Sequence, residues 1–190
     1  MAFIGLRVPH DAARLLEAIE VPGERLSASD MHITILYLGK NVPVIQIAKA
    51  MVVAAQATSQ QVPFNIMLSN INSFPRNAED GYPIICPVDS PELHSFRNSL
   101  KESFQKYRVP FVDNWPEFKP HITLSYLKDV EEDTDFKLDQ PLPGPLSFTA
   151  LELTIWGGDK GDGKIHVGLP FVLSPIARAA ARVAKIRSQY

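Results

Sequence analysis

A seven-residue stretch that occurs twice constrains this chain more than any other feature. His32-Ile33-Thr34-Ile35-Leu36-Tyr37-Leu38 and His121-Ile122-Thr123-Leu124-Ser125-Tyr126-Leu127 agree at five of seven positions, eighty-nine residues apart. A repeat at that distance divides the chain into two rounds of one structural unit. Both copies are rich in β-branched and aromatic residues and read as strands. Side chains alternate across a strand, so His32 and Thr34 share one face, as do His121 and Thr123. By the same alternation Ile33, Ile35 and Tyr37 point the other way, with Ile122, Leu124 and Tyr126 matching them. Each copy therefore joins an apolar packing face to a histidine-plus-hydroxyl face that packing does not need.

The remaining segments arrange themselves around the two copies. Residues 3–8 form an apolar run ended by Pro9, a buried strand. Asp11 is placed to cap a helix carrying Ala12, Leu15, Leu16 and Ile19 on one face. After the strand at 31–38, Asn41 and Pro43 supply the N-cap and first turn of a second helix, striped by Val44, Ile47, Ala48, Met51, Val52 and Ala55. The second round has strands at 62–74 and 82–88 across the polar loop 75–81. Ser90-Pro91-Glu92 then opens a helix with Leu93, Phe96, Leu100 and Phe104 on one face, followed by a strand at 118–127. Asp129, Glu131, Glu132, Asp133 and Asp135 make a solvated acidic loop. Strands at 146–156 and 164–173 flank a glycine-rich turn, a hairpin. The tail 175–190 has no acidic residue. Ile176, Ala180, Val183, Ile186 and Tyr190 line one side of it, with Arg178, Arg182 and Lys185 on the other. It reads as a basic amphipathic helix, docked on the body or touching a partner or polyanion.

Composition narrows the classes of function. At 190 residues with 45% apolar content, the chain makes one large domain or two tightly packed small ones. Nineteen basic against twenty-one acidic residues leave a net charge of −2, which excludes coating duplex nucleic acid by charge alone. The one cysteine, Cys86, rules out an internal disulfide and a cysteine-rich zinc site, and in its apolar run it is a core residue. No apolar run approaches a membrane span, and the first residues lack the pattern of a secretory signal, so the expectation is a soluble cytoplasmic protein. Gly158-Asp159-Lys160-Gly161-Asp162-Gly163-Lys164 imitates a phosphate-binding loop, but Ile165 stands where Ser or Thr must hold magnesium. His10, His94 and His166 add no metal-ligand spacing to the motif histidines, so neither metal nor cofactor is expected.

The chemistry that wants two histidine–hydroxyl pairs is phosphodiester cleavage. One oxygen attacks while another leaves, which requires a base and an acid. Histidine serves as either near neutrality. Threonine hydroxyls can donate to the non-bridging phosphate oxygens, where charge develops.

These motifs, with the lead-in Phe118-Lys119-Pro120-His121 and the opening strand–helix unit, resemble the 2H phosphoesterases, in particular the bacterial 2′–5′ RNA ligase/cyclic phosphodiesterase-like group. The resemblance covers about residues 1–173 in element order and implies a phosphoesterase domain over 1–174. It implies an α+β, bilobal LigT-like fold, with two antiparallel sheets, outer helices and a central cleft, and no metal. Residue by residue, it implies His32, Thr34, His121 and Thr123 as the catalytic set. The tail lies outside the pattern. The Tyr-Leu ending of both motifs is similar to versions carried by bacteriophages, some of which degrade cyclic oligonucleotide signals of bacterial immunity; such a member would act in the host cytoplasm.

A nucleotide substrate wants an aromatic platform for its base. Trp115 leads over Phe118, Phe74 and Trp156, while alternation turns Tyr37 away from His32. Lys40, Lys119 and Arg76 are candidates for charge near the phosphate. The leading expectation is a metal-independent phosphodiesterase for RNA-type or 2′,3′-cyclic nucleotide phosphodiesters. The alternatives are a nuclease for cyclic oligonucleotides and a non-catalytic nucleotide-binding or particle-associated module that uses the tail.

Overall fold

In the computed structural model, residues 1–113, 117–128, 130, 136–157 and 165–171 are described, with side chains in the last stretch from residue 168. The acidic loop for the most part, Trp115, the glycine-rich turn, the His166 side chain and the whole tail 175–190 lie outside them.

Two strand–helix–strand units face each other. The first is β1 (Ala2–Arg7), α1 (His10–Glu17) and, after the short β2 (Glu24–Arg25), β3 (His32–Gly39). Helix α2 (Val44–Thr58) and β4 (Phe64–Ser73) lead to the second unit: β5 (Tyr82–Asp89), α3 (Pro91–Lys106) and β6 (His121–Leu127). The chain continues through β7 (Asp139–Ala150), β8 (Glu152–Gly157) and β9 (Ile165–Pro170). Every pairing is antiparallel, in the order β7-β4-β5-β6-β3-β1-β8-β9, with β2 on β6. All nine strands join in one continuous sheet, whose halves β7-β4-β5-β6 and β3-β1-β8-β9 correspond to the two expected sheets. The halves meet at one ladder pair, Ile33 with Ile122.

Local chemistry explains most element boundaries. Ser90 caps α3, its hydroxyl accepting from the Leu93 amide, with Pro91 in the first turn; Leu93, Phe96, Leu100 and Phe104 form its buried face. The helix α1 starts a residue before Asp11, with Pro9 at the N-cap, so Asp11 lies in the first turn and does not cap. Pro43, not Asn41, is the N-cap of α2, and Asn41 takes a left-handed backbone (φ 53°), which Asn tolerates better than most residues. The buried face of α2 is Ala50, Val53, Ala54 and Thr58 with Ile47 and Met51 beside it, whereas Val44 and Val52 are exposed. Packing against α3 rotates the helix away from its most apolar stripe.

The segment 146–156 is not one strand. It breaks at exposed Leu151, and β7 extends back to Asp139 through Pro141, Pro143 and Pro145. Prolines at alternate positions turn their missing N–H to one side, which an edge strand tolerates. Beyond these shifts, β8 and β9 form the expected hairpin, and Cys86 is fully buried, its thiol pushed up to about 12 by burial.

Candidate active site

The ladder pair Ile33–Ile122 fixes the central geometry. Antiparallel partners share a face, so His32 lies across from Thr123 and Thr34 across from His121, and all four side chains rise from one face. Ile33 and Ile122 point down into the core, each at 0% exposure. The two histidines are diagonal neighbours, a relation that sets residues about 7–8 Å apart. That gap admits a phosphate with a hydrogen bond on each side.

Both histidines are held alike. The Nδ1 of His32 lies 2.7 Å from the Asp30 carbonyl, and that of His121 lies 2.8 Å from the Lys119 carbonyl. A carbonyl only accepts, so in each ring Nδ1 carries the proton and Nε2 is left to act as base or acid. The residues just before them are also matched: the Met31 carbonyl accepts from the Val8 amide and the Pro120 carbonyl from the Val88 amide. An approximate two-fold axis therefore runs between β3 and β6.

The surroundings are less symmetric. The ring of His32 contacts Phe3 at 4.6 Å and Trp156 at 4.7 Å, whereas His121 meets the edge of Phe74 at 4.6 Å. Phe3 can lean over the sheet because Gly5 has no side chain beneath it. A Cβ there would meet the Ile33 carbonyl oxygen at 2.8 Å and the Phe3 ring at 3.5 Å. Buried Trp156 donates to the Thr154 hydroxyl, which donates in turn to the Gly5 carbonyl. Burial holds both imidazoles below the ordinary histidine value, against the pull of their backbone bonds; for His32 the neighbouring His121 adds to the lowering.

Alternation alone misplaces two residues. Ile4 pairs with Leu36 and Gly5 with Thr34, leaving Ile35 as an extra residue in β3. In β6, Ile84 pairs with Ser125 and Ile85 with Thr123, leaving Leu124 extra. Each bulge buries two successive side chains and returns the following tyrosine to the histidine face. Tyr37 thus shares a face with His32, contrary to simple alternation, and Tyr126 shares one with His121. The displaced carbonyls each find a donor: Arg97 Nε reaches Ile35 O at 3.2 Å, and the Leu26 amide reaches Leu124 O at 2.8 Å.

The structure separates the other candidates. Phe118 packs against the core under the Arg97 guanidinium (4.4 Å) and beside His94 (5.2 Å), as an anchor of α3. Lys40 pairs with Glu79 at 3.1 Å and lies near Tyr37. Lys119 is exposed, 3.5 Å from Glu117, and serves His121 through its carbonyl. Trp115 lies outside the described residues. Of the aromatic candidates, Phe74 and Trp156 are brought to the histidines, joined by Phe3, which was not among them. Among the described residues no helix is long and apolar enough to cross a membrane.

Comparison with known proteins identifies the family and the fold. The profile of the 2′-5′ RNA ligase superfamily matches residues 8–162. The chain belongs to that superfamily, the 2H phosphoesterases. Its fold is similar to TT0787 of Thermus thermophilus, with a TM-score of 0.66 at 16% identity over 90% of this chain and 97% of that one. It is also similar to E. coli LigT complexed with 3′-AMP, with a TM-score of 0.62 at 20% identity over 90% and 94%. No curated protein sequence matches.

Proposed function

We propose that this protein is a metal-independent phosphodiesterase acting on RNA-type or 2′,3′-cyclic nucleotide phosphodiesters, with His32 and His121 as the acid–base pair. The observation that carries the reading is the matched tethering of both rings. Two imidazoles on one face, each with Nδ1 engaged and Nε2 available, flank a gap of phosphate size. One Nε2 takes the proton of the attacking water as its oxygen bonds to phosphorus. The other gives a proton to the ribose oxygen as that P–O bond breaks. Thr34 and Thr123 donate to the non-bridging oxygens, where negative charge accumulates. E. coli LigT, similar in fold, has been crystallised with 3′-AMP and with phosphate, which is in keeping with a phosphate ester in this cleft.

The test is a panel of 2′,3′-cyclic nucleotides, 2′–5′ and 3′–5′ dinucleotides and cyclic oligonucleotides, assayed with and without chelator and read by product end-group. Turnover unaffected by chelator and lost in both His→Ala variants supports the mechanism. Activity that chelator abolishes and a divalent ion restores overturns it. Turnover confined to cyclic oligonucleotides would assign the substrate to that class, and a panel with none would leave a binding module.

A further inference from the structure

The approximate two-fold relation between the histidines fails at one pair of positions. Arg7 is the ladder partner of His32, and Pro87 is that of His121. The Val8 and Val88 amides that follow them bond alike to the carbonyls preceding the histidines. Equivalent places across from the two imidazoles thus hold an exposed arginine on one side and a half-buried proline on the other. Ladder partners share a face, and no irregularity falls between Gly5 and Arg7. Arg7 therefore rises from the histidine face, while Leu6 and Val8 are buried on the other.

Among the described residues the Arg7 guanidinium has no hydrogen bond or ion pair. Lys40 and Lys119, by contrast, each face a glutamate. Arg7 also lines a cavity of about 240 Å³ with His10, Arg14, Glu17, Ser27 and Ser29. The other polar groups there are engaged within the protein. Arg14 pairs with Glu17 at 2.6 Å, and Glu17 also accepts from the Ala28 amide. The Ser27 hydroxyl donates to Asp30 at 2.6 Å and meets that of Ser29 at 2.7 Å, and His10 lies 3.8 Å from Asp11. One planar set of donors is left without an acceptor, one strand spacing of about 4.7–4.9 Å beyond His32 from the gap between the histidines.

We propose that Arg7 binds a second phosphate of the substrate, next to the one that is cleaved. The inference deepens the phosphodiesterase reading and rests on it: the preferred substrate carries a further anionic phosphate and is not a bare mononucleoside 2′,3′-cyclic phosphate. The guanidinium fork matches two phosphate oxygens at once and keeps its charge at every working pH. Pro87 offers no side-chain donor at the equivalent place, so a cleft built on two similar halves takes its substrate in one direction, with the second phosphate on the His32 side.

The experiment compares ligands that differ only by that phosphate. Calorimetry with 3′-AMP and adenosine 3′,5′-bisphosphate at low ionic strength should show the parent preferring the bisphosphate. Arg7→Gln is expected to raise the Kd of the bisphosphate by about 5- to 30-fold and that of 3′-AMP by less than about twofold, the loss of one charge-assisted contact. Arg7→Glu should reverse the preference, and added salt should shrink the parent's preference but not that of Arg7→Gln. Turnover of adenosine 2′,3′-cyclic phosphate, its 5′-phosphorylated form and the dinucleotide ApA ending in a 2′,3′-cyclic phosphate separates the sources. Whichever addition gains kcat/KM through Arg7, the terminal phosphate or the internal diester, supplies the second phosphate. A parent without preference for the bisphosphate, or an Arg7→Gln that weakens both ligands equally, overturns the proposal. If the parent cleaves nothing, the phosphodiesterase reading fails on that result, and the two dissociation constants still decide whether the second phosphate is bound.

Discussion

Arg97→Met tests whether the first bulge is held from outside the sheet. Arg97 comes from α3, its side chain 11% exposed; Nε donates to the Ile35 carbonyl at 3.2 Å and Nη2 to Asp113 at 2.6 Å. The guanidinium also covers the Phe118 ring at 4.4 Å. Methionine keeps most of the stem, so little packing is lost. What disappears is the donor to a carbonyl that has left the ladder, and an unsatisfied acceptor of that kind costs about 1–3 kcal/mol. Loss of the cation–ring contact adds about 0.5–1 kcal/mol. Asp113 retains Lys101, so the broken ion pair adds little. A total of about 1.5–4 kcal/mol lowers the melting midpoint of a chain this size by about 3–16 °C. Thermal and urea melts read that directly. The expected companion effect is a loss of kcat/KM, because a relaxed bulge would turn Tyr37 off the histidine face. A midpoint within about 1 °C of the parent would refute the idea that Arg97 holds the Ile35 carbonyl.

The same geometry sets four further outcomes. His32→Ala and His121→Ala should each lower kcat/KM by about 10²–10⁴, with the double variant losing less than the product, and steady-state kinetics checks this. Thr34→Ala and Thr123→Ala should cost less than the histidines, since each removes one donor from a charge others still hold. Because both imidazoles are held below the ordinary value of 6.5, the unfolded chain binds more protons than the folded one as pH falls through that value. Stability should therefore decline on acidification below about 6.5, with a shallower slope in either His→Ala variant, as urea midpoints at several pH values would report. Gly5→Ala should cost about 1–3 kcal/mol, since its Cβ meets a ladder carbonyl that cannot retreat, and should also displace Phe3 from His32.

The sequence carried the centre of the molecule and lost its periphery for identifiable reasons. Two copies of one strand announced a two-unit fold, and period-two alternation was enough to place His32, Thr34, His121 and Thr123 on polar faces, because no irregularity lies between residues two apart in either motif. The apolar stripe of α3 was legible since capping by Ser90, Pro91 and four large residues at helical spacing all agree. The stripe of α2 was not. Its helix is apolar on most sides, so periodicity could not say which side α3 and the sheet would take, and Val44 and Val52 ended in solvent. Strand β7 was truncated because proline normally argues against a strand, and only the sheet order shows it to be an edge.

The misassigned tyrosines show where alternation stops being a reliable guide. Neither bulge is marked by a special residue: Ile35-Leu36 and Leu124-Ser125 carry no glycine, and the buried Ser125 hydroxyl is satisfied by donating to the Pro22 carbonyl. What fixes each bulge is a donor remote in sequence, Arg97 in one unit and Leu26 in the other, which no local pattern can reveal. Yet the repeat held the missing signal. Tyr-Leu recurs after a pair of positions that differ between copies, so identity is kept at the polar-face residues His, Thr and Tyr and relaxed at the two residues the bulge buries. Read with strict alternation, the retained tyrosine belongs to the packing face; read with one residue inserted, every retained polar side chain falls on the same face. The second reading needs a single irregularity, repeated at the same place, and it turns two unconnected tyrosines into part of the cleft.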